Sequence, residues 1–319
     1  MNSTKLIGEH PDSKAIFALK DLQGWARKGP SLAVLGSPIG HSISPVIHNA
    51  ALSKMASDRL DFADWQYFRF EVPSQRLKDS LPEFAKSGFR GLNLTIPHKV
   101  EALDAIDSID AEAAAMGAVN TLVFSENGGC DGFNTDGFGL ECALEDDFGV
   151  SLDGATIVLL GAGGAARAAA TRFLGSGCSE LWIGNRSADR LERLRNVLVV
   201  GEEQRVETFA LDQVPSDLPC AAGVLVVNAT SLGLGPEDDS PLDLSRFASG
   251  ALAYDMIYNP AETAFLRAAR AHGFRAANGL SMLVRQAARS LEIWTGAEVP
   301  AEPMFTAARK ALEDLGERA

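Results

Sequence analysis

The chain has 319 residues, 46% hydrophobic and 22% charged, enough material for two packed cores. Its 42 acidic against 29 basic residues leave a net charge of −13, which opposes binding to nucleic-acid phosphates. No stretch approaches the roughly 18 apolar residues a membrane helix needs, and no apolar leader opens the chain, so a cytoplasmic protein without a membrane partner is expected.

Residues 1–30 are polar, mixed in charge and broken by Pro11, Gly24, Gly29 and Pro30. They read as a loosely docked N-terminal extension, with room for one short helix over 15–27. From Ser31 onward strand and helix patterns alternate. Strands are predicted over 32–35, 65–72, 89–96 and 119–124, with helices over 45–55, 74–86 and 110–116 among them. A helix over 138–148 leads to further strands near Ile157, Leu181, 224–227 and 252–256, with helices between. Helices over 280–294 and 302–315 close the chain. Such alternation predicts an α/β protein with largely parallel sheets. Two α/β domains follow: one over 31–136 that includes closing helices over 279–319, and one over 137–278, which the motifs below mark as substrate-binding and dinucleotide-binding respectively.

Cys130, Cys142, Cys178 and Cys220 are far apart and form no C-x-x-C pair, which predicts reduced thiols and no metal site.

The run Ala155–Leu160 is apolar and partly β-branched, and it ends in Gly161-Ala162-Gly163-Gly164-Ala165-Ala166 before an alanine-rich helix pattern. This is the pattern of a dinucleotide turn. Gly161 permits the tight bend, Gly163 lets backbone approach a pyrophosphate, and Ala166 is small enough for close helix–strand packing. The first N–H groups of the helix then face the phosphates. Some twenty residues on, an NAD site usually offers an acid to the ribose. Here the next strand ends in Asn185-Arg186-Ser187, with no carboxylate and with a guanidinium suited to a 2′-phosphate, which points to NADP(H). Arg190, one turn further, serves equally well as a solvent-facing charge.

Four clusters in the first half are each read as lying just after a predicted strand: Gly36-Ser37-Pro38-Ile39-Gly40-His41-Ser42-Ile43-Ser44-Pro45, Asn93-Leu94-Thr95-Ile96-Pro97-His98-Lys99, Asn120-Thr121 and Asn134-Thr135-Asp136-Gly137. Small hydroxyls, amides, one lysine and one aspartate gathered at the carboxyl ends of strands suit a small polyhydroxylated anion. Ser44 before Pro45 also fits a helix cap, and Asp136 a cap for the helix that follows. His41 and His98 lack ligand spacing and read as structural. No G-x-S-x-G elbow exists for a hydrolase.

Taken together, these motifs, with N-A-T-S-L-G at 228–233 and Y-D-M-I-Y-N-P at 254–260, resemble the shikimate dehydrogenase family from about residue 33 to 315. The resemblance implies a Rossmann-type NADP domain and reversible NADP-linked reduction of 3-dehydroshikimate to shikimate, in aromatic amino-acid biosynthesis. It implies that Ser42 and Ser44, helped by Tyr258, hold the substrate carboxylate. Asn93, Thr95, Asn120 and Gln286 bind hydroxyls, and Lys99 with Asp136 form the catalytic pair. Asn228, Ala229, Thr230 and Met256 line the nicotinamide side, with Gly279 also on the cofactor. Phe133, Ala264, Asn278 and Ser281 depart from the commoner family pattern, without removing a group the chemistry needs.

The chemistry stands on the residues alone. Hydride addition builds negative charge on a carbonyl oxygen, and an ammonium donor at that oxygen lowers the barrier. Two rival readings stay beside this one: a dual quinate/shikimate dehydrogenase, and a non-catalytic NADP(H)-binding regulator on the same fold. Small molecules are the expected partners, and assembly is left open between monomer and homodimer.

Overall fold

A computed structural model describes residues 15–316. Contacts divide the chain into two α/β units: Met1–Thr135 with Ala287–Ala319, and Asp136–Gln286. The second dividing point lies inside a helix, the sixteen-residue α9 introduced below.

The first unit contains β1 (Ile16–Ala18), β2 (Ser31–Gly36), α1 (Ser44–Asp58), β3 (Gln66–Glu71), α2 (Leu77–Lys86), β4 (Phe89–Leu94), α3 (His98–Glu101), β5 (Ser108–Ile109), α4 (Ala111–Met116), β6 (Thr121–Phe124) and β7 (Cys130–Phe133). Its sheet runs β1-β3-β2-β4-β6-β7-β5. β1, β3, β2 and β4 are mutually parallel, but β6 is antiparallel to both β4 and β7. β5 is parallel to β7, so four of the six pairings are parallel and two are antiparallel. The reason is local: β6 and β7 are joined through Asn127-Gly128-Gly129, a short connection with Gly128 at φ +86°, which suits a hairpin and not a crossover.

The first 14 residues of the expected extension lie outside the described residues. The rest forms no α-helix and is not loosely docked. Ile16–Ala18 adds a parallel strand to β3, a 3-10 turn covers Leu19–Gly24, and Trp25 is buried. The cause is aromatic packing: Phe17 and Trp25 meet edge to face at 5.2 Å, and Trp25 meets Phe68 likewise at 4.9 Å. Beneath them Ala33, Leu35, Phe70, Leu77, Leu81 and Phe84 form one continuous core between the sheet and α2.

The second unit contains α5 (Asp136–Phe148), β8 (Thr156–Leu160), α6 (Gly164–Gly175), β9 (Glu180–Asn185), α7 (Ala188–Arg195), β10 (Arg205–Ala210), β11 (Leu225–Asn228), β12 (Leu252–Asp255), α8 (Ala264–Ala271) and β13 (Arg275–Asn278). All strands are parallel in the order β10-β9-β8-β11-β12-β13, which is 3-2-1-4-5-6 counted from β8. β8 shows why both faces need cover. Ile157 and Leu159 enter the core shared with α5 and α6, while Val158 and Leu160 enter the core shared with α8. α9 (Leu280–Thr295) and α10 (Ala301–Gly316) end the chain, and α10 lies against α1.

Among the described residues, no helix is long and apolar enough to cross a membrane. The four cysteines are free thiols, and burial pushes Cys130 up to about 12 and Cys178 up to about 11.

Candidate active site

The mixed sheet decides where the first-unit clusters meet. Asn93 near the end of β4 pairs with Thr121 at the start of β6, and Thr121 pairs with Phe133 at the end of β7. Asn120 thus precedes its strand instead of following it. Antiparallel pairing nevertheless brings it to the edge reached by the ends of β4 and β7.

A hydrogen-bond network fills this edge. Asn93 Oδ1 accepts from Tyr67 OH at 2.7 Å, and its Nδ2 donates toward Asn120 O, Thr121 Oγ1 and Ser290 Oγ at 3.0–3.1 Å. Asn120 Oδ1 accepts from Thr135 N and Thr121 Oγ1, and its Nδ2 donates to Thr135 Oγ1. Asn93 is only 7% exposed and Asn120 2%, so both amides belong to the frame of the edge. An amide has two N–H donors, and three protein acceptors already surround those of Asn93. Thr121 and Thr135 belong to the clusters read from sequence, whereas Tyr67 and Ser290 lie outside them. Ser290 is 197 positions from Asn93; its only sequence signal is a polar residue on an otherwise apolar helix face, one turn after Gln286.

Ser42 and Ser44 are half-buried where β2 leads into α1. Ser42 Oγ accepts from Ser44 N at 3.3 Å. Ile43, not Ser44, is the cap residue of α1, with Pro45 in the first turn. Arg69 Nη1 donates to the carbonyls of Gly40 and Ser42 at 2.8 and 3.0 Å, fixing this loop against β3. Thr95, also half-buried, is tied by its N–H to Leu35 O.

Lys99 is half-buried in the four-residue α3. His98 beside it is fully buried and structural. Its N–H donates to Thr95 O, its Nε2 lies 2.8 Å from Val72 O, and its Nδ1 lies 3.2 Å from Glu101 Oε2. Val119 N donates to Lys99 O, so the turn carrying the lysine is fastened on both sides. His41 is exposed.

In the second unit, Asp136 opens α5 and is half-buried. The glycine turn lies where β8 gives way to α6. Gly161 has φ +120°, and a Cβ there would stand 2.8 Å from Ala229 O, so only glycine fits. Around Gly163 and Gly164 a Cβ would meet nothing within 4 Å, which leaves the first turn of α6 open with Ala165 exposed and Ala166 buried. Open N–H groups at the start of a helix fit a pyrophosphate. Asn185 Nδ2 donates to Ser187 O, and Ser187 Oγ caps α7 through Arg190 N. Arg186 and Arg190 are exposed, with no hydrogen bond or ion pair from their side chains among the described residues.

At the end of β11, Asn228 is buried and holds Thr230 through its N–H and hydroxyl, while Ala229 and Met256 are partly exposed. Tyr258 is half-buried, and burial raises its phenol above the usual range. Gly279 packs on Met256 O, where a Cβ would stand 2.2 Å away. Gln286, on α9, donates to Leu283 O. Two of the departures from the family pattern are absorbed: Asn278 accepts from Leu280 N, and Ser281 donates to Asp147.

A parallel sheet in 3-2-1-4-5-6 order, with an open glycine turn at its switch point and a guanidinium at the next strand end, is a dinucleotide-binding domain of the dehydrogenase kind. Family comparison specifies it. Residues 34–122 match the shikimate dehydrogenase substrate binding domain, 143–231 match shikimate / quinate 5-dehydrogenase, and 279–309 match the shikimate 5'-dehydrogenase C-terminal domain. The shikimate dehydrogenase (NADP(+)) of Moorella thermoacetica is 38% identical over 282 residues, 88% of this chain and 93% of its own. That of Geobacter metallireducens is 41% identical over 276 residues, 84% and 92% respectively. The structure of shikimate 5-dehydrogenase from Thermus thermophilus in complex with NADP(H) and shikimate superposes with a TM-score of 0.77 at 36% identity, covering 89% of this chain and 100% of that one. The chain belongs to the shikimate dehydrogenase family.

Proposed function

We propose that this chain interconverts 3-dehydroshikimate and shikimate with NADP(H), using Lys99 and Asp136 as its acid–base pair. The observation that carries the reading is the turn of α3, which holds Lys99 at the sheet edge that also presents Thr95 and the serine loop. The Moorella and Geobacter relatives, both named for this NADP-linked reaction, support it.

Ser42 and Ser44 anchor the substrate carboxylate through hydroxyl donors on a loop that Arg69 keeps in place, with Tyr258 assisting. Thr95 and Gln286 meet hydroxyl groups. Asn93 and Asn120 act mainly by fixing that edge, so the donors facing the substrate cost little to order when it binds. The Gly161–Ala166 turn, Arg186, Asn228–Thr230, Met256 and Gly279 hold NADP(H), which when bound supplies the hydride the side chains lack. As the ketone π bond opens, Lys99 Nζ gives a proton to the carbonyl oxygen. In the reverse direction its neutral amine takes the alcohol proton. Asp136 holds the lysine in register for both steps.

Incubation with shikimate and NADP⁺ should raise the absorbance of reduced nicotinamide, with quinate and NAD⁺ as comparison arms. No rise with any pair would overturn the activity and favour an NADP(H)-binding regulator. An equal rise with quinate would identify the dual enzyme.

A further inference from the structure

We propose that Asp255, at the end of β12, is a positioning residue for the nicotinamide half of the cofactor alone; this rests on the NADP(H) reading above. Asp255 is 0% exposed, and among the described residues no lysine or arginine pairs with it. Only donors face it. Its Oδ1 accepts from Asn228 Nδ2 at 3.1 Å and from Ile257 N at 3.0 Å, and its Oδ2 accepts from Thr263 Oγ1 at 2.6 Å. Burial raises its carboxyl while these bonds pull the other way. A buried carboxylate costs several hydrogen bonds to hold and is usually paired. Here it is held by three chain segments, which it joins.

The first of these segments follows β11, which pairs with β8 on the side away from β9, and Ala229 O lies 2.8 Å from where a Cβ on Gly161 would stand. Asn228, fixed by Asp255, accepts from Thr230 N and Thr230 Oγ1 and donates to Leu232 O. Leu232 N returns to Thr230 Oγ1, so residues 228–232 form a closed loop. Met256 N donates to Asn228 O, which ties the second segment to the first, and Gly279 N donates to Ile257 O. Thr263 is the cap of α8, where its Oγ1 also accepts from Leu266 N. In a sheet of this order the adenosine half lies over β9 and β10, and the other half over β11 and β12. Asp255 touches only the β11–β12 side. Its effect should therefore be confined to one half of the dinucleotide.

Asp255→Asn keeps the shape but puts an NH₂ among donors. In its less disruptive orientation that group faces Thr263 Oγ1, which must turn its own proton elsewhere. The test compares two ligands by calorimetry on the full-length protein: NADP⁺, and 2′,5′-ADP, which lacks the nicotinamide. Asp255→Asn should weaken NADP⁺ binding about tenfold or more and leave 2′,5′-ADP within about twofold. It should also lower kcat with little change in the KM for shikimate. Thr263→Val, which removes one bond of the three, should show the same split at a few-fold, and it decides the matter if Asp255→Asn does not fold. Equal weakening of both ligands, or of neither, overturns the proposal. A wild-type chain that binds neither ligand instead refutes the cofactor reading on which it rests.

Discussion

At the end of β4 the amide of Asn93 is buried and surrounded by protein partners, whereas just past the end of β9 the guanidinium of Arg186 is exposed and engages none among the described residues. The two regions prepare for different ligands. A small polar molecule offers few contacts, so its discrimination depends on donors and acceptors fixed beforehand by a network such as Tyr67–Asn93–Ser290. A dinucleotide is long and carries several charges, so backbone N–H groups, a helix start and one placed cation suffice. The first region is consequently part of its unit's core. The second is a surface that the sheet presents.

The comparison can be broken most sharply at Lys99, which stands at the fixed edge but is assigned to chemistry. Lys99→Ala should lower kcat by about 10²–10⁴-fold with the KM for shikimate little changed, since its proton transfer belongs to the transition state. Steady-state rates that keep most of the turnover would sink the assignment.

His48 offers a pH test of the same region. It is fully buried, stacked on Tyr67 at 3.9 Å, and burial lowers it from 6.5 to about 4. The unfolded chain takes up this proton near pH 6.5 and the folded one does not. Its stabilising contribution is therefore complete above pH 6.5 and is lost as pH falls toward 4, amounting to about 3 kcal/mol. Denaturant titrations should show this acid limb, and His48→Phe, which keeps the stack, should flatten it.

Asn93→Ala leaves Tyr67 OH, Thr121 and Ser290 without their shared partner and should cost about 2–3 kcal/mol of stability, read by thermal unfolding. Arg186→Ala should leave that midpoint unchanged and raise the KM for NADP⁺ about tenfold, close to 1.4 kcal/mol, with NAD⁺ use little altered. If instead Asn93→Ala is neutral to stability, the fixed edge is not a framework. If Arg186→Ala weakens both cofactors equally, the exposed guanidinium does not read the 2′-phosphate.

The dinucleotide side was the more legible from sequence because its signals are local. Glycine at Gly161, the alanine-rich helix and Asn185-Arg186-Ser187 sit within one strand–helix–strand stretch, and each structural constraint lies near its residue. The substrate side was legible only as clusters. That Asn93 meets Ser290 depends on the return of α9, and that Asn120 precedes its strand depends on the antiparallel hairpin. Neither is encoded near the residue concerned. Strands β1, β5, β7, β10 and β13 were not foreseen. Cys130-Asp131-Gly132-Phe133 has weak intrinsic strand preference and is held by pairing on both sides, while β1, β10 and β13 are edge strands whose pattern is short or interrupted by charge. Asp255 stood in the open in Y-D-M-I-Y-N-P, yet an aspartate in a loop-side motif gives no sign of burial until its three donors are seen.

The strand at Ile16–Ala18 lies outside the family match, which begins at residue 34. A chain shortened by homology to start there would leave the six-residue β3 as the margin of its sheet and strip Phe17 and Trp25 from Phe68 and Phe70. Unpaired margins beside apolar rings recruit strands from other molecules. Such a shortened protein should scatter light more steeply with concentration than the full-length chain, because it exposes those rings beside its new margin.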